Sequence, residues 1–202
     1  AETSVVIRDE IRPSSPEAVS LLTDMNLEVV LLSGDTYKVA ERVAHQLNIE
    51  NVIAEVLPEQ KRDHVAALQS AGKCVAMVGD GINDTPALAT ADLGIALQAG
   101  TDAARNAADL TIMTNDPRAV ADGIALSRRT LRVIKENLAW AFSYNAIALP
   151  LAVTGYLSPT YAAIAMASSS FLVVANSLRL RQFHSLKAAN SVEAQRAVDL
   201  SV

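Results

Sequence analysis

Between Glu136 and Arg179 the chain carries no formally charged residue, a stretch of about 40 residues and roughly twice what one bilayer crossing needs. Two apolar segments lie within it, Leu138–Leu157 and Tyr161–Leu178, joined by Ser158-Pro159. Each is near 20 residues, enough for a helix to cross a hydrocarbon core of about 30 Å. The pattern predicts a transmembrane helical hairpin over residues 138–181. Its outer flanks are basic, with Arg128, Arg129, Arg132 and Lys135 on one side and Arg179, Arg181 and Lys187 on the other, while the linking turn is uncharged. Basic flanks stay on the cytoplasmic side, so both ends are expected inside and the turn outside. The competing reading is a buried hairpin in a soluble protein, but soluble helices of this length normally show a polar face.

Charge divides the chain near the same place. Residues 1–116 hold 8 basic and 18 acidic side chains, whereas residues 117–202 hold 9 basic and 4 acidic. The acidic first part has no basic stripe to neutralise phosphates, which argues against nucleic acid as a partner. The single cysteine, Cys74, cannot form an internal disulfide, and it is expected to be a small buried hydrophobe in a strand.

Residues 4–116 alternate β-branched runs with helical patterns. Strands are predicted at Ser4–Ile7, Glu28–Leu32, Asn51–Ala54, Lys73–Val78, Leu93–Leu97 and Leu110–Met113. Ser14/Ser15 with Pro16 reads as the start of a helix running towards Met25, and Pro58-Glu59 opens another that Gly72 closes. Continuous apolar strands between helices predict an open, doubly wound α/β domain with a parallel sheet over 1–116. Asp116-Pro117 then caps a basic cytoplasmic stalk helix, residues 117–137, and a polar tail with a short helix at Val192–Val198 occupies 182–202.

In such sheets ligands sit beyond the carboxyl ends of the strands. Two polar clusters fall there: Ser33-Gly34-Asp35 and Gly79-Asp80-Gly81-Ile82-Asn83-Asp84. In the second, glycines allow close backbone approach, and two carboxylates and an amide share one turn. Hard oxygen groups of this kind suit Mg²⁺, which bridges carboxylates and phosphate. An ordinary acidic turn remains the plain alternative, as a solvated surface lysine does for Lys61.

Ser33-Gly34-Asp35, Lys61 and the run Gly79–Leu88 (GDGINDTPAL) resemble the later motifs of haloacid-dehalogenase-type phosphotransferases, in the form found in P-type ATPases. The likeness runs from about Asp9-Glu10-Ile11-Arg12-Pro13 to Phe183. Thr85 stands where the family usually has Ala, and Ser33 where it usually has Thr. The resemblance implies a haloacid-dehalogenase-like, Rossmann-like domain, here incomplete, followed by the hairpin. It implies Asp80 as the Mg²⁺ ligand, with Asn83 and Asp84 orienting the phosphoryl group and the metal's water shell. Ser33, in one motif with the further site candidates Gly34 and Asp35, would donate its hydroxyl to a phosphoryl oxygen, Lys61 would neutralise transition-state charge, and Gly79 and Gly81 would let backbone come close. The family's nucleophile is an aspartate in a DKTGT sequence, which this chain does not contain. Without that carboxylate the chain alone is expected to be inactive. ATP would be bound by a domain outside this chain. The missing nucleotide-binding, actuator and earlier membrane parts, membrane lipid and a copper chaperone are the implied partners, and the cell membrane the implied location.

In the hairpin, Tyr144-Asn145 lies in the first span and Met166, Ser169 and Ser170 in the second. A thioether is a soft ligand that favours Cu(I), and the spans hold no charged ligand for a harder cation. Met and Ser within membranes also serve simply as packing residues. Tyr-Asn followed by Met-x-x-Ser-Ser is similar to the final two helices of copper-translocating heavy-metal ATPases, whose zinc and cadmium relatives carry Lys and Asp there. The resemblance thus implies part of a Cu(I)-exporting pump with half an ion site. The alternatives are a soluble haloacid-dehalogenase-type phosphatase with an apolar helix pair, or a catalytically inactive truncated membrane protein.

Overall fold

Turn chemistry at the element boundaries decides where the chain bends, and the computed structural model follows it closely. The structure describes residues 11–98, 100–156, 158–183, 185 and 186. The expected strand at Ser4–Ile7 and tail helix at Val192–Val198 lie outside them. The chain divides into two units, residues 1–121 and 122–202.

In the first unit, helix α1 (Ser15–Asp24) opens after Ser14 with Pro16 in its first turn. Strand β1 (Val30–Leu32) leads into α2 (Tyr37–Leu47), whose Ala40, Ala44 and Leu47 form a buried stripe at helical spacing. Strand β2 (Asn51–Ile53) leads into α3 (Pro58–Ser70). Pro58 presets the first turn of α3, Gln60 Oε1 accepts the Leu57 N–H at 2.9 Å, and Gly72 ends the helix at φ +81°. After β3 (Ala76–Gly79) come a 3₁₀ turn (Ile82–Asp84), α4 (Thr85–Thr90), β4 (Leu93–Leu97), α5 (Asp102–Ala107) and β5 (Leu110–Ile112).

All described strand pairs are parallel, as the alternating pattern requires, but they form two ladders rather than one sheet. β1 pairs with β2, and β4 lies between β3 and β5. Among the described residues no strand pairs with the second edge of β1 or of β3, so the single doubly wound sheet expected from sequence is interrupted between them. Its core sits around β4, where Ile95 and Ala96 pack with Ala87, Leu88 and Ala104, all at most 1% exposed. β3 alternates exposed and half-buried residues instead of being covered on both faces. Cys74 is correspondingly exposed, not a buried hydrophobe. It precedes β3, which begins at Ala76 rather than Lys73.

A charged knot joins α1 to the first turn of helix α6 (Arg118–Val153). Asp116 Oδ1 accepts the Arg118 N–H at 3.1 Å and so caps α6, as expected of the Asp116-Pro117 pair. The Arg118 guanidinium grips Asp116 at 2.7 Å and Glu17 at 2.6 Å, and these two carboxylates, Asp116 foremost, raise its pKa further above the usual range.

The described part of the second unit is largely helical. The stalk and the first apolar segment, expected as separate parts, form one 36-residue helix, α6. Its apolar part from Leu138 to Val153 is roughly 24 Å long. Gly155 at φ +78° turns the chain, and Ser158 caps α7 (Pro159–Leu178) by accepting the Tyr161 N–H. Thr160–Arg181 is long and apolar enough to cross a membrane; α6 does not meet the same test of length and composition.

Candidate functional site

The two polar clusters sit at the carboxyl ends of β1 and β3, as the strand pattern predicts. Ser33 continues β1, donating its N–H to Ile53 O at 2.9 Å. Its hydroxyl donates to Asp35 Oδ2 at 3.0 Å and accepts the Asp35 N–H at 3.1 Å, closing a tight polar turn. Asp35 O accepts the Glu55 N–H at 2.9 Å, which pins this turn to the residues after β2.

The second cluster is built around an ion pair. Lys61, in the first turn of α3, donates to Asp84 Oδ1 at 2.7 Å, and the two side chains are only 15% and 14% exposed. The Asp84 side chain is seated over Gly79: a Cβ at residue 79 would lie 2.8 Å from Asp84 Cβ. Glycine is therefore required at 79 by the protein itself. A Cβ at Gly81 would find nothing nearer than 3.6 Å, and one at Gly34 would lie 3.3 Å from Val56 O. Asp80 and Asn83 are exposed, and the Asp80 carbonyl accepts the Thr101 N–H at 2.9 Å, which ties the turn to the start of α5. Sequence reasoning assigned Lys61 and Asp84 separate tasks and did not foresee their pairing, because nothing local in either segment announces it.

The donor set here, carboxylate and amide oxygen from Asp80, Asn83 and Asp84, fits a hard cation such as Mg²⁺. Asp84 already has a cation partner in Lys61. Among the described residues no three carboxylate, imidazole or thiol groups gather at one point. The fit is thus to part of a metal site, with Asp80 its exposed member.

In the hairpin, Tyr144 and Ser169 are half-buried, while Asn145, Met166 and Ser170 are exposed. Ser170 Oγ donates back to Met166 O at 3.1 Å, which aligns two of the expected residues on one face of α7. No described hydrogen bond joins Tyr144 or Asn145 to Met166, Ser169 or Ser170. Sequence reasoning overlooked Asn137, Asn176 and Ser177, which bond across the two helices. Their signal was available as amides at the margins of charge-free helices.

Residues 2–92 and 62–124 match haloacid dehalogenase-like hydrolase families. The chain is 48% identical over 178 residues to the copper-exporting P-type ATPase of Bacillus subtilis, which covers 88% of this chain and 22% of that protein. It is 49% identical over 179 residues to the probable copper-exporting P-type ATPase V of Mycobacterium tuberculosis, covering 89% of this chain and 23% of that one. Among solved structures, a zinc-transporting PIB-type ATPase in its E2.Pi state superposes with a TM-score of 0.80 at 35% identity, over 86% of this chain and 28% of that one. The chain therefore spans less than a quarter of the length of these two curated relatives. With the motif run Gly79–Leu88, the parallel α/β unit and the long apolar helix all in the matched region, the chain belongs to the P-type ATPases, as a segment built on a haloacid dehalogenase-like domain.

Proposed function

We propose that this chain is part of an ATP-driven heavy-metal pump that exports Cu(I) across the cell membrane. The observation that carries the reading is the Lys61–Asp84 pair at 2.7 Å, held over Gly79 beside the exposed Asp80. It keeps an ammonium group at the carboxyl end of the strands, poised for a phosphoryl group. Phosphoryl transfer needs little covalent chemistry from a protein and much positioning of charge. Lys61 supplies positive charge, Ser33 a hydroxyl donor and Asp84 the anchor that orients Lys61. Asp80, with Asn83, would hold Mg²⁺, whose bound charge offsets that of the phosphoryl oxygens. The accepting aspartate comes from a DKTGT sequence outside this chain, and ATP is held by a further domain of the complete pump.

Tyr144, Asn145, Met166, Ser169 and Ser170 form the proposed contribution to the Cu(I) path. Copper-exporting relatives at 48% and 49% identity support this ion. The zinc-transporting structure, at 35%, is the less similar match, and the charge-free span offers no carboxylate or amine for Zn²⁺. Both spans of the hairpin, the cytoplasmic location of the α/β unit and delivery of Cu(I) by a chaperone belong to the same proposal.

The test uses the complete pump that carries this segment. Asp80→Asn is expected to abolish phosphoenzyme formation from labelled ATP while the fold is kept, and normal phosphoenzyme in that variant would remove the role given to Asp80. Met166→Ala is expected to lower Cu(I)-stimulated turnover more than Leu172→Ala, about 120° round the same helix. Turnover driven equally by Zn²⁺ would overturn the copper assignment and leave the family intact.

A further inference from the structure

The described side-chain bonds between α6 and α7 gather at one end of the hairpin. Asn137 Oδ1 accepts from Asn176 Nδ2 at 2.9 Å, and Asn137 Nδ2 donates to Ser177 Oγ at 3.1 Å. Asn176 Oδ1 accepts from Arg179 at 3.0 Å, and Asn176 Nδ2 also lies 3.4 Å from Glu136 Oε2. Both amides are thus used at both ends. Sliding one helix past the other by a single residue shifts these groups by about 1.5 Å and turns them by about 100°, which breaks every bond of the set. The neighbouring side chains could not resist such a slip, since Leu, Val and Ala pack tolerably in many registers. A polar pair within an apolar helix seam is the device that fixes one register.

Burial traces the seam that this register creates. From 137 to 153 the half-buried positions of α6 are Asn137, Ala141, Tyr144 and Ala148. On α7 the half-buried positions between 160 and 178 are Ala162, Ala165, Ser169, Val173, Ala175 and Asn176, which apart from Ala175 follow steps of three and four. Seven residues are two turns, about 10.5 Å of rise with a drift of only about 20°. Seven residues on from Asn137 is Tyr144. Seven back from Asn176 is Ser169, and seven back from Ser177 is Ser170. The helices are antiparallel, so all three steps run the same way, from the amide pair towards the Gly155 turn.

We propose that Asn137 and Asn176 are positioning residues, a register clamp that sets Tyr144 level with Ser169 and Ser170 and thereby fixes the geometry of the ion half-site. The role at the ion site rests on the Cu(I)-pump reading, whereas the register itself does not. Two arms of one experiment separate them. In the full chain in membranes, with Cys74→Ser, the pair Tyr144→Cys and Ser169→Cys is treated with a short bifunctional thiol reagent. Bridging is expected to dominate over that of Tyr144→Cys with Ala165→Cys or Val173→Cys, and to lose this preference when Asn137→Leu and Asn176→Leu are added. Equal bridging patterns with and without the clamp would overturn the proposal. In the complete pump, Asn137→Leu or Asn176→Leu is expected to raise the KM for Cu(I) about tenfold while kcat stays within about twofold, with Asn137→Gln in between. A loss of kcat at unchanged KM would mark the amides as merely structural and overturn their role at the ion site. If the wild-type pump shows no Cu(I)-stimulated turnover, the pump reading fails and the cross-linking arm still decides the register.

Discussion

Lys61→Met isolates the energetic weight of the ion pair beneath Asp80. The substitution removes the ammonium but keeps most of the stem, so packing beside α3 changes little. It leaves the Asp84 carboxylate 14% exposed and without the cation 2.7 Å away. Breaking one side of a fully buried pair costs about 3–5 kcal/mol. Each partner here keeps about one-seventh of its surface, so water and screening reduce the loss, and about 2–3 kcal/mol is expected. Asp84→Asn should cost a similar amount by stranding the ammonium. The double change Lys61→Met with Asp84→Leu removes both charges, and it should recover to within about 1–2 kcal/mol of the wild type. The assay is urea unfolding of the full chain in detergent micelles, followed by far-UV circular dichroism. A Lys61→Met midpoint within about 0.5 kcal/mol of wild type would show the pair to be solvated, and the charge-positioning argument would fall with it.

Thr85→Ala is expected to stabilise the chain by about 1 kcal/mol, because the Thr85 hydroxyl is buried without a partner among the described residues and losing one methyl offsets only part of that cost. A destabilised variant in the same unfolding assay would reveal a partner for that hydroxyl. Asp92 accepts the Val75 N–H at 2.8 Å, and this bond, with help from Gln69, lowers its pKa. Its stabilising contribution is therefore complete above the ordinary carboxylate value of about 3.9 and is lost as pH falls through the lower folded value. Asp92→Asn should weaken the chain at neutral pH and flatten the acid limb of its stability profile; an unchanged limb would refute the linkage. A reporter at Ser158 is expected outside and one following Phe183 inside, and reporters on the same side would refute the hairpin topology.

Local chemistry explains what was legible beforehand. Strands β1, β2, β4 and β5 lie within their expected ranges and β3 runs one residue past its own, to Gly79, because each is an apolar run bounded by turn residues, and Gly72 ends α3 because only glycine adopts that φ cheaply. Ser33, Asp35 and Asp80 were placed correctly at the strand ends for the same reason. What escaped notice depends on partners far along the chain. The Arg118–Glu17 contact spans 101 residues and the Asn137–Asn176 bond 39. No periodicity in either segment encodes such a meeting. Cys74 was misjudged because a strand assignment predicts burial only if the neighbouring positions in the sheet are filled.

The two interrupted ladders bear on how this polypeptide behaves in water. β1 reads Val-Leu-Leu and β3 Ala-Met-Val-Gly, with none of the lysines or prolines that usually discourage association at open edges. Among the described residues these edges are two unblunted rows of amide and carbonyl groups, which invite a strand in extended conformation, as acceptor domains do in strand donation. Expressed by itself, the chain is therefore expected to associate through these edges. A soluble peptide of the right alternation, supplied in trans, should titrate away its self-association, much as one half of a split reporter is rescued by the other.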